Sequence, residues 1–241
     1  MKKNTLTIGI LGGMGPAATV DLFKKIVYST QARKDQEHLR VVIDNNPHIP
    51  DRTAALYGKG EDPTPAMLAS ARGLEESGAD FLVIACNTAH IFVEELEKNL
   101  NIPVLNIISS TTAYVAKHFP KIKKAGLLAT TATIKAGEYH SGLGTHGITL
   151  LTLNEHDQEQ LIMKAIFGEE GLKAGFTTGI THRILTEAGT KLQAAGAEIL
   201  IMGCTEIPLA MLQSDFNVPL LDPNTILAEA AIRRARHQPE A

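Results

Sequence analysis

The sequence predicts an α/β protein made of two pseudo-symmetric domains, each a parallel sheet flanked by helices. The first observation is a repeat: residues 78–88 and 196–206 each begin with small residues, continue with an apolar run and reach a cysteine. The second is the alternation of apolar runs with amphipathic segments along the whole chain, which is typical of parallel βαβ units. The third is that the only two cysteines, Cys86 and Cys204, each follow one of the repeated apolar runs.

The predicted strands fall into two matching sets. The runs before the cysteines show no polar alternation, which predicts strands buried on both faces of a sheet. Each half also opens with a short strand that ends in small residues and closes on a short strand that contains a proline. Two long matching halves predict a pseudo-repeat rather than a solenoid, which is built from at least three short units. The strands are predicted at 7–13, 39–43, 78–85, 102–107, 124–130, 196–202 and 218–223.

Helical patterns lie between these strands. Strands that alternate with helices favour right-handed crossovers and helices on both faces of each sheet. No low-complexity linker separates the halves, which predicts closely packed domains with a cleft between them. The helices are predicted at 17–32, 65–77, 90–99, 109–118, 155–167, 179–194 and 225–236.

Composition excludes several classes of function. The 241 residues, 44% of them hydrophobic, are enough for one large α/β unit or two small domains. The formal net charge of -3 gives no reason to expect a nucleic-acid or anionic-membrane partner. No run approaches the roughly 18 apolar residues of a membrane-spanning helix. Two cysteines without a CxxC motif or a secretion signal predict a cytoplasmic protein with free thiols, although spacing alone leaves a disulfide open.

Cys86 and Cys204 are the candidate acid/base groups. Ligands bind at the carboxyl ends of parallel strands, so a duplicated fold can present two thiols to one cleft. A thiol at a helix N-terminus has its pKa lowered by the helix dipole, so one thiolate can act as base while the other thiol acts as acid. The alternative is that both are small buried core residues. Their matched places in a repeat, beside amide and hydroxyl residues, favour the functional interpretation.

The turn at residues 12–16 joins the first strand to the first helix. Its glycines and Pro16 suit a tight turn whose backbone N–H groups face an anion. Gly13, Gly15 and Ala18 also satisfy the loose dinucleotide fingerprint, with Asp44 somewhat beyond the usual place of its acidic residue. An NAD(P)-dependent oxidoreductase is therefore an alternative. It leaves the cysteine repeat unexplained, and Pro16 removes one N–H, so a carboxylate-binding or purely structural turn is favoured.

Three further polar features are ambiguous by themselves. Arg52, in a loop rich in proline and asparagine at 45–53, can grip a carboxylate with two hydrogen bonds, although composition favours an exposed arginine paired with Asp51. Lys173 alone is an ordinary solvated loop lysine. The hydroxyl groups at 130–133 can receive a carboxylate, cap a helix, or do both.

No metal site is predicted. The nine histidines form no ligand constellation along the sequence. Cys86 and His90 stand four residues apart, which is a helical ligand spacing, but no carboxylate or second histidine nearby completes a zinc site.

Taken together, the motifs resemble the cofactor-independent aspartate/glutamate racemase family, and the aspartate racemase branch in particular. The resemblance covers nearly the whole chain, and the paired cysteine segments are its most specific part. It implies two similar α/β domains, 1–108 plus 223–241 and 109–222, with the active site in the interdomain cleft. It also implies racemisation without pyridoxal phosphate or metal, and a homodimer. The matching segments are 12–16, 46–52, 85–90, 128–133 and 203–209.

The resemblance also implies roles for individual residues. Cys86 and Cys204 would be the two acid/base thiols on opposite faces of the substrate α-carbon, with the face of each left open. Since both are cysteine, turnover is expected in both directions. Arg52 and Lys173 would meet substrate carboxylates. The substrate-binding set that the resemblance implies is Met14, Arg52, Asn87, Thr88, Thr131, Thr133, Lys173 and Thr205.

Two residues narrow the expected substrates within the superfamily. Glu206 after Thr205 resembles the aspartate racemase pattern, because glutamate racemases usually carry histidine there, and Arg52 favours a side-chain carboxylate. Aspartate therefore leads and glutamate follows. A broad-specificity amino-acid racemase is an alternative, as are other isomerases and related enzymes on this scaffold: hydantoin racemases, maleate isomerases and arylmalonate decarboxylases. A non-catalytic protein that binds acidic amino acids is the alternative from another class.

Overall fold

The computed structural model describes residues 5–238. The chain forms two compact units: the first runs to Thr111 and resumes at Asn224, and the second runs from Thr112 to Pro223. Each unit contains one four-stranded parallel sheet. The functional domain boundaries given above stay a prediction, and their residues 1–4 and 239–241 lie outside the described part of the chain.

The first unit is built on strands β1 (Ile8–Gly12), β2 (Val41–Asn45), β3 (Phe81–Ile84) and β4 (Val104–Leu105), in the spatial order β2-β1-β3-β4. All neighbours are parallel. The two central strands, β1 and β3, are buried at every residue, as expected for continuous apolar runs covered on both faces. The edge strand β2 is partly exposed along its length.

The second unit repeats this arrangement with β5 (Lys124–Leu128), β6 (Thr149–Leu151), β7 (Ile199–Met202) and β8 (Leu220–Leu221). The spatial order is β6-β5-β7-β8, again with all neighbours parallel. The predicted pseudo-repeat is therefore confirmed strand by strand. Only β6 was missed from the sequence; it is a three-residue edge strand in which the exposed Thr149 precedes two half-buried leucines.

The repeat also extends to the polar residue that precedes each cysteine strand. The Asp80 carboxylate accepts the backbone N–H of Thr7 at 2.7 Å, just before β1 begins. The Glu198 carboxylate accepts the N–H groups of Lys123 and Lys124 at 2.7 and 3.0 Å, where β5 begins. In both halves an acidic side chain satisfies the unpaired donors at the start of the opening strand.

The helices cover the two sheets, and the last of them, α11 (Pro223–Ala235), belongs to the first unit. The Asn224 side chain donates to Asp21 at 3.1 Å, and the N–H of Leu6 donates to the carbonyl of Ala235 at 2.8 Å. Within residues 5–238, no helix is both long enough and apolar enough to cross a bilayer. The α-helices are α1 (Pro16–Ser29), α2 (Arg52–Leu56), α3 (Thr64–Glu76), α4 (Val93–Glu97), α5 (Ile107–His118), α6 (Thr131–Ala136), α7 (Glu138–Gly144), α8 (Glu155–Asp157), α9 (Lys164–Phe167), α10 (Ile180–Ala194) and α11 (Pro223–Ala235).

Every predicted helical segment contains helix, with two local differences. The segment predicted as a helix at 90–99 instead contains a 3₁₀ turn, Thr88–Phe92, followed by α4. The prediction at 155–167 is helical throughout, but a π-helical segment, Gln158–Met163, separates α8 from α9. The short helices α2, α6 and α7 were not predicted. Helices of five to seven residues carry too little apolar periodicity to detect.

The β1–α1 turn packs tightly against the end of β2. Gly13 has a φ of +91°, and a Cβ at this position would lie 2.3 Å from the backbone of Asn46. Its N–H donates to the Thr19 hydroxyl at 3.0 Å, and Pro16 occupies the first turn of α1. Only glycine therefore allows this approach of the turn to the neighbouring strand.

Gly13→Ala is expected to lower the free energy of unfolding by about 3 kcal/mol, from backbone strain plus the contact with Asn46. Gly58→Ala is the matched control, because Gly58 also has a positive φ of 63° but no heavy atom within 4 Å of the added carbon. The control should cost only about 1 kcal/mol. Urea denaturation of both variants measures the difference, and equal losses would show that the packing against Asn46 is unimportant.

Candidate active site

The candidate residues of the first unit follow three neighbouring parallel strands. Met14 follows β1, Arg52 begins α2 after β2, and Cys86 follows β3. Because these strands are adjacent and parallel, their carboxyl ends lie at one edge of the sheet, where ligands bind in open α/β folds. Asn87 and Thr88, next to Cys86, are also buried at this edge.

Cys86 is a buried free thiol, 7% exposed, whose backbone is fixed by a histidine. The carbonyl of Cys86 accepts a hydrogen bond from His90 Nδ1 at 2.9 Å. His90 Nε2 accepts the backbone N–H of Ile107, in the first turn of α5, at 3.2 Å. Since Nε2 is an acceptor, the proton lies on Nδ1, and the neutral ring ties the cysteine segment to α5.

His90 stays neutral because it is buried. Loss of solvation lowers its pKa to about 4, against smaller opposing effects of hydrogen bonds to the backbone of Cys86 and Asn87. A charged ring would have to give up the bond from Ile107, since an imidazolium has no acceptor. His90 was considered from the sequence only as a metal ligand; its position four residues after Cys86 instead serves this bridge.

His90→Asn is expected to reduce the loss of stability on acidification. In the wild-type chain the unfolded state binds a proton at His90 below about pH 6.5, whereas the folded state does so only near pH 4. Stability therefore falls as pH drops through this window, by about 2 kcal/mol between pH 7 and pH 5 from this group. Urea denaturation at both pH values measures it. The variant should be less stable at pH 7 with a smaller pH dependence; an unchanged dependence would mean that His90 is not buried in neutral form.

Arg52 is buried rather than exposed, with 8% of its surface accessible. Its Nη1 donates to the carbonyls of Ile49 and Pro50 at 3.1 and 2.9 Å, and its Nη2 donates to the carbonyl of Met14 at 3.1 Å. The expected ordinary pairing with Asp51 is wrong, because the Asp51 carboxylate caps α2 through the N–H of Ala54. Three backbone carbonyls hold the guanidinium at the sheet edge.

The charge of Arg52 has no counter-ion in its own surroundings. Among residues 5–238, all hydrogen-bond partners of the guanidinium are neutral carbonyls, and the buried Nε has no partner. Burying a cation without a neighbouring carboxylate costs folding free energy, and a bound anion would offset that cost. Met14 contributes its carbonyl, while its side chain packs in the apolar core around β1 and β3.

In the second unit, two candidate threonines stand at the start of α6, after β5. The Thr130 hydroxyl caps the helix by accepting the N–H of Thr133 at 3.2 Å, and the two hydroxyls lie 3.0 Å apart. The Thr131 hydroxyl donates to Glu159 at 3.2 Å and accepts from Gln158 at 3.3 Å. The helix-capping interpretation of this segment is confirmed.

Gln158 is a buried polar residue that the sequence did not single out. Its side-chain amide donates to the carbonyl of Ala129 at 2.9 Å as well as to Thr131, so it supports the loop after β5. It lies in the π-helical segment between α8 and α9, a local distortion that is frequent at functional sites. No sequence pattern predicts a π-helical turn here.

Cys204 follows β7 and is also a buried free thiol, 7% exposed. Its thiol donates to Glu206 Oε2 at 3.2 Å. The other oxygen of Glu206 accepts from Lys173 Nζ at 2.7 Å, although Lys173 is 33 residues distant in sequence. Lys173 is therefore not a simple solvated lysine. Thr205, which stands between Cys204 and Glu206 in the sequence, is also buried.

The predicted lowering of the thiol pKa by a helix dipole is wrong for Cys204. Burial raises the pKa of this thiol well above its ordinary value, the negative charge of Glu206 raises it further, and Lys173 acts in the opposite direction. The helix that was expected to lower the pKa is only a 3₁₀ turn, Ile207–Leu209, which begins three residues later. Such a short turn supplies little dipole at the sulfur.

No metal centre emerges among the described residues, since no three His, Cys, Asp or Glu side chains group there in a way that could hold an ion. Each unit thus collects one thiol, one strong cation and several buried hydroxyl or amide groups at the carboxyl edge of its sheet. Such sets of groups suit proton transfer beside a bound carboxylate.

Comparison with known proteins decides the family. A family model described as Asp/Glu/Hydantoin racemase matches residues 11–231. The chain belongs to the Asp/Glu/hydantoin racemase family. Its predicted relationship to aspartate and glutamate racemases is confirmed, as is its enzyme class, an isomerase of the amino-acid racemase type. The nicotinamide and binding-protein alternatives are not supported.

Two relatives of this racemase span nearly the whole chain, and a third covers about half of it. The broad-specificity amino-acid racemase RacX of Bacillus subtilis is 26% identical over 232 residues, 93% of this chain and 96% of RacX. The solved structure of Picrophilus torridus aspartate racemase matches with a TM-score of 0.83 and 30% identity, covering 98% and 96% of the two chains. The glutamate racemase of Aquifex pyrophilus is 32% identical over 138 residues, 56% of this chain and 50% of that one. The predicted α/β fold with two parallel sheets is confirmed by the Picrophilus match.

Proposed function

We propose that this racemase interconverts L- and D-aspartate without a cofactor, with Cys86 and Cys204 as the acid/base pair. The observation that carries the proposal is the presence of one buried free thiol after the equivalent strand in each sheet. The chain has only two cysteines, and both stand at equivalent strand ends of the repeat. Chance burial of core cysteines would not place both at matched positions. Family membership supplies the reaction class that two such thiols suit.

The proposed reaction is a two-base proton transfer. One thiolate takes the α-proton, so the C–H bond breaks, an S–H bond forms and the electron pair passes into the substrate carboxylate. The opposite thiol then gives its proton to the other face of the carbon, which breaks one S–H bond and forms the inverted C–H bond. An α-C–H is a poor acid, so fixed donors must stabilise the developing negative charge.

The remaining candidates bind the substrate in this proposal. Asn87, Thr88 and Thr205 flank the two thiols in sequence and supply hydrogen bonds to the amino-acid head group. Thr131 and Thr133 add hydroxyl groups from the start of α6. Met14 takes part through its backbone, since its side chain is in the core.

Aspartate is the proposed substrate because Arg52 and Lys173 are both proposed to meet substrate carboxylates, Lys173 while it remains paired with Glu206. Arg52 is buried with its charge uncompensated by the described residues, and Lys173 is partly exposed, at 28% of its side chain. The match to Picrophilus torridus aspartate racemase points the same way. Broad amino-acid specificity is the second candidate, since the RacX relative spans almost the whole chain. A cytoplasmic homodimer without bound metal completes the proposal.

A panel of L-amino acids tests the substrate assignment. The purified protein is incubated with each amino acid after treatment with a metal chelator and a carbonyl scavenger that removes pyridoxal phosphate. Chiral chromatography then measures the D-isomers. Aspartate should racemise fastest, followed by glutamate. Equal rates on neutral amino acids would favour broad specificity, and loss of activity after either treatment would contradict the cofactor-free mechanism.

A further inference from the structure

Among residues 5–238, a buried carboxylate contacts one of the two candidate catalytic thiols, that of Cys204. Glu206 is 3% exposed and accepts the thiol proton of Cys204 at 3.2 Å, while Lys173 pairs with its second oxygen at 2.7 Å. The three side chains form a chain from a sulfur in the core to a partly exposed ammonium. All three lie in the second unit.

The two halves of the repeat differ at the position of this carboxylate. Glu206 stands two residues after Cys204, and the residue two places after Cys86 is Thr88. A hydroxyl carries no charge, so the first unit has no acidic counterpart of Glu206 at the matched position. His90, which follows Cys86 by four residues, is neutral and bonds the backbone carbonyl of Cys86 rather than its sulfur.

Simple electrostatics shows what the carboxylate does. A thiolate at Cys204 would place a second negative charge about 3 Å from Glu206 in a low-dielectric site, and like charges this close disfavour ionisation. Glu206 and Lys173 are the charged groups that act on this thiol, and they act in opposite directions. Cys204 also belongs to a buried apolar cluster that includes Leu128, Met202 and Ile207.

We propose that Glu206, together with burial, keeps Cys204 protonated in the resting enzyme, so that Cys204 is the proton donor and Cys86 the proton acceptor for the enantiomer whose α-hydrogen faces Cys86. In the reverse direction Cys204 must lose its proton first, which makes it the less favoured base. This proposal rests on the two-thiol function above. Glu206 acts through Cys204, so it is a positioning residue. When Cys204 gives its proton to carbon, its S–H bond breaks and a thiolate remains beside the carboxylate. Lys173 is then the only cation at this pair among the described residues, and it limits the repulsion.

Thiol titration in a single-cysteine background tests the proposal. Cys86→Ser leaves Cys204 as the sole cysteine of the chain, and its ionisation is followed by thiolate absorbance in the ultraviolet. Adding Glu206→Gln should lower the titration midpoint by at least about one pH unit, which is about tenfold more thiolate at a fixed lower pH. Adding Lys173→Met should raise the midpoint instead. Glu187→Gln, which removes an exposed carboxylate from α10, is the matched control and should leave it unchanged.

The two directions make the outcome decisive. A midpoint that stays the same in Glu206→Gln, or moves upward, overturns the proposal, as does a downward shift in Lys173→Met. Should Glu206→Gln fail to fold, Lys173→Met still tests the same electrostatic pair from its partly exposed end. A global structural effect would not move the midpoint in opposite directions for the two variants.

A second readout separates this proposal from the proposed function. The titration needs no racemisation, so opposite shifts support the Glu206–Cys204 coupling even if the chain does not act on aspartate. With Cys86 restored, Glu206→Gln should move the thiol-dependent limb of the pH profile of kcat by the same amount and direction. A shifted titration with an unshifted kcat profile would overturn the role of Glu206 in turnover.

Discussion

Cys86→Ala and Cys204→Ala should each lower the rate of aspartate racemisation by about 10²- to 10⁴-fold. In each variant one face of the α-carbon lacks its proton-transfer group, so inversion cannot be completed. Both cysteines are buried and small, so alanine leaves only a modest cavity and the fold should persist. Chiral chromatography measures the rates, and thermal unfolding checks the fold.

The single-cysteine variants should also differ from each other in hydrogen exchange. The remaining thiol can still remove and return a proton on its own face, although Cys204 should do so more slowly than Cys86 because Glu206 disfavours its thiolate. Each variant should therefore exchange the α-proton of one enantiomer with solvent deuterium, and the two variants should prefer opposite enantiomers. Met202→Leu, a volume-conserving change in the core two residues before Cys204, is the control and should keep wild-type activity. Wild-type rates in both alanine variants would exclude the two-thiol mechanism.

Arg52→Ala is expected to lower the free energy of unfolding by about 4 kcal/mol, because three charge-assisted hydrogen bonds to backbone carbonyls disappear from a buried site. Arg52→Lys should keep the charge but not the planar set of donors, so it should recover only part of this loss. If the guanidinium also meets a substrate carboxylate, KM for aspartate should rise in the lysine variant by tenfold or more, about 1.4 kcal/mol of binding.

Arg72→Ala is the matched control, because Arg72 is an exposed arginine on α3 of the same unit. It should change the unfolding free energy by no more than about 0.5 kcal/mol and leave KM unchanged. Urea denaturation and steady-state kinetics provide both readouts. A destabilised Arg52→Lys protein with wild-type KM would assign Arg52 to the fold alone.

The strands and the cysteine positions could be predicted because they depend on local pattern. Continuous apolar runs bounded by turn residues favour buried strands in a parallel sheet, and the repeat indicated matching strands in both halves. The helix α2 could not be predicted, since five residues are too few to show a helical period. The strand β6 is defined by its pairing with β5, a contact that the local sequence does not show.

The electrostatics of the candidate site could not be predicted for a different reason. Arg52 meets the carbonyl of Met14 across 38 residues of sequence, and Lys173 meets Glu206 across 33. Spacing along a chain does not show which side chains the fold brings together. The burial of Arg52 and the direction of the Cys204 pKa both follow from these distant contacts.

Proton NMR of L-aspartate in D2O, with the purified protein and no added cofactor, tests aspartate racemisation most directly. Two-thiol racemisation predicts that the α-proton signal disappears as solvent deuterium replaces it, while D-aspartate accumulates until the two enantiomers are equal. An α-proton signal that persists with active, folded protein, together with no D-aspartate, would contradict the assignment.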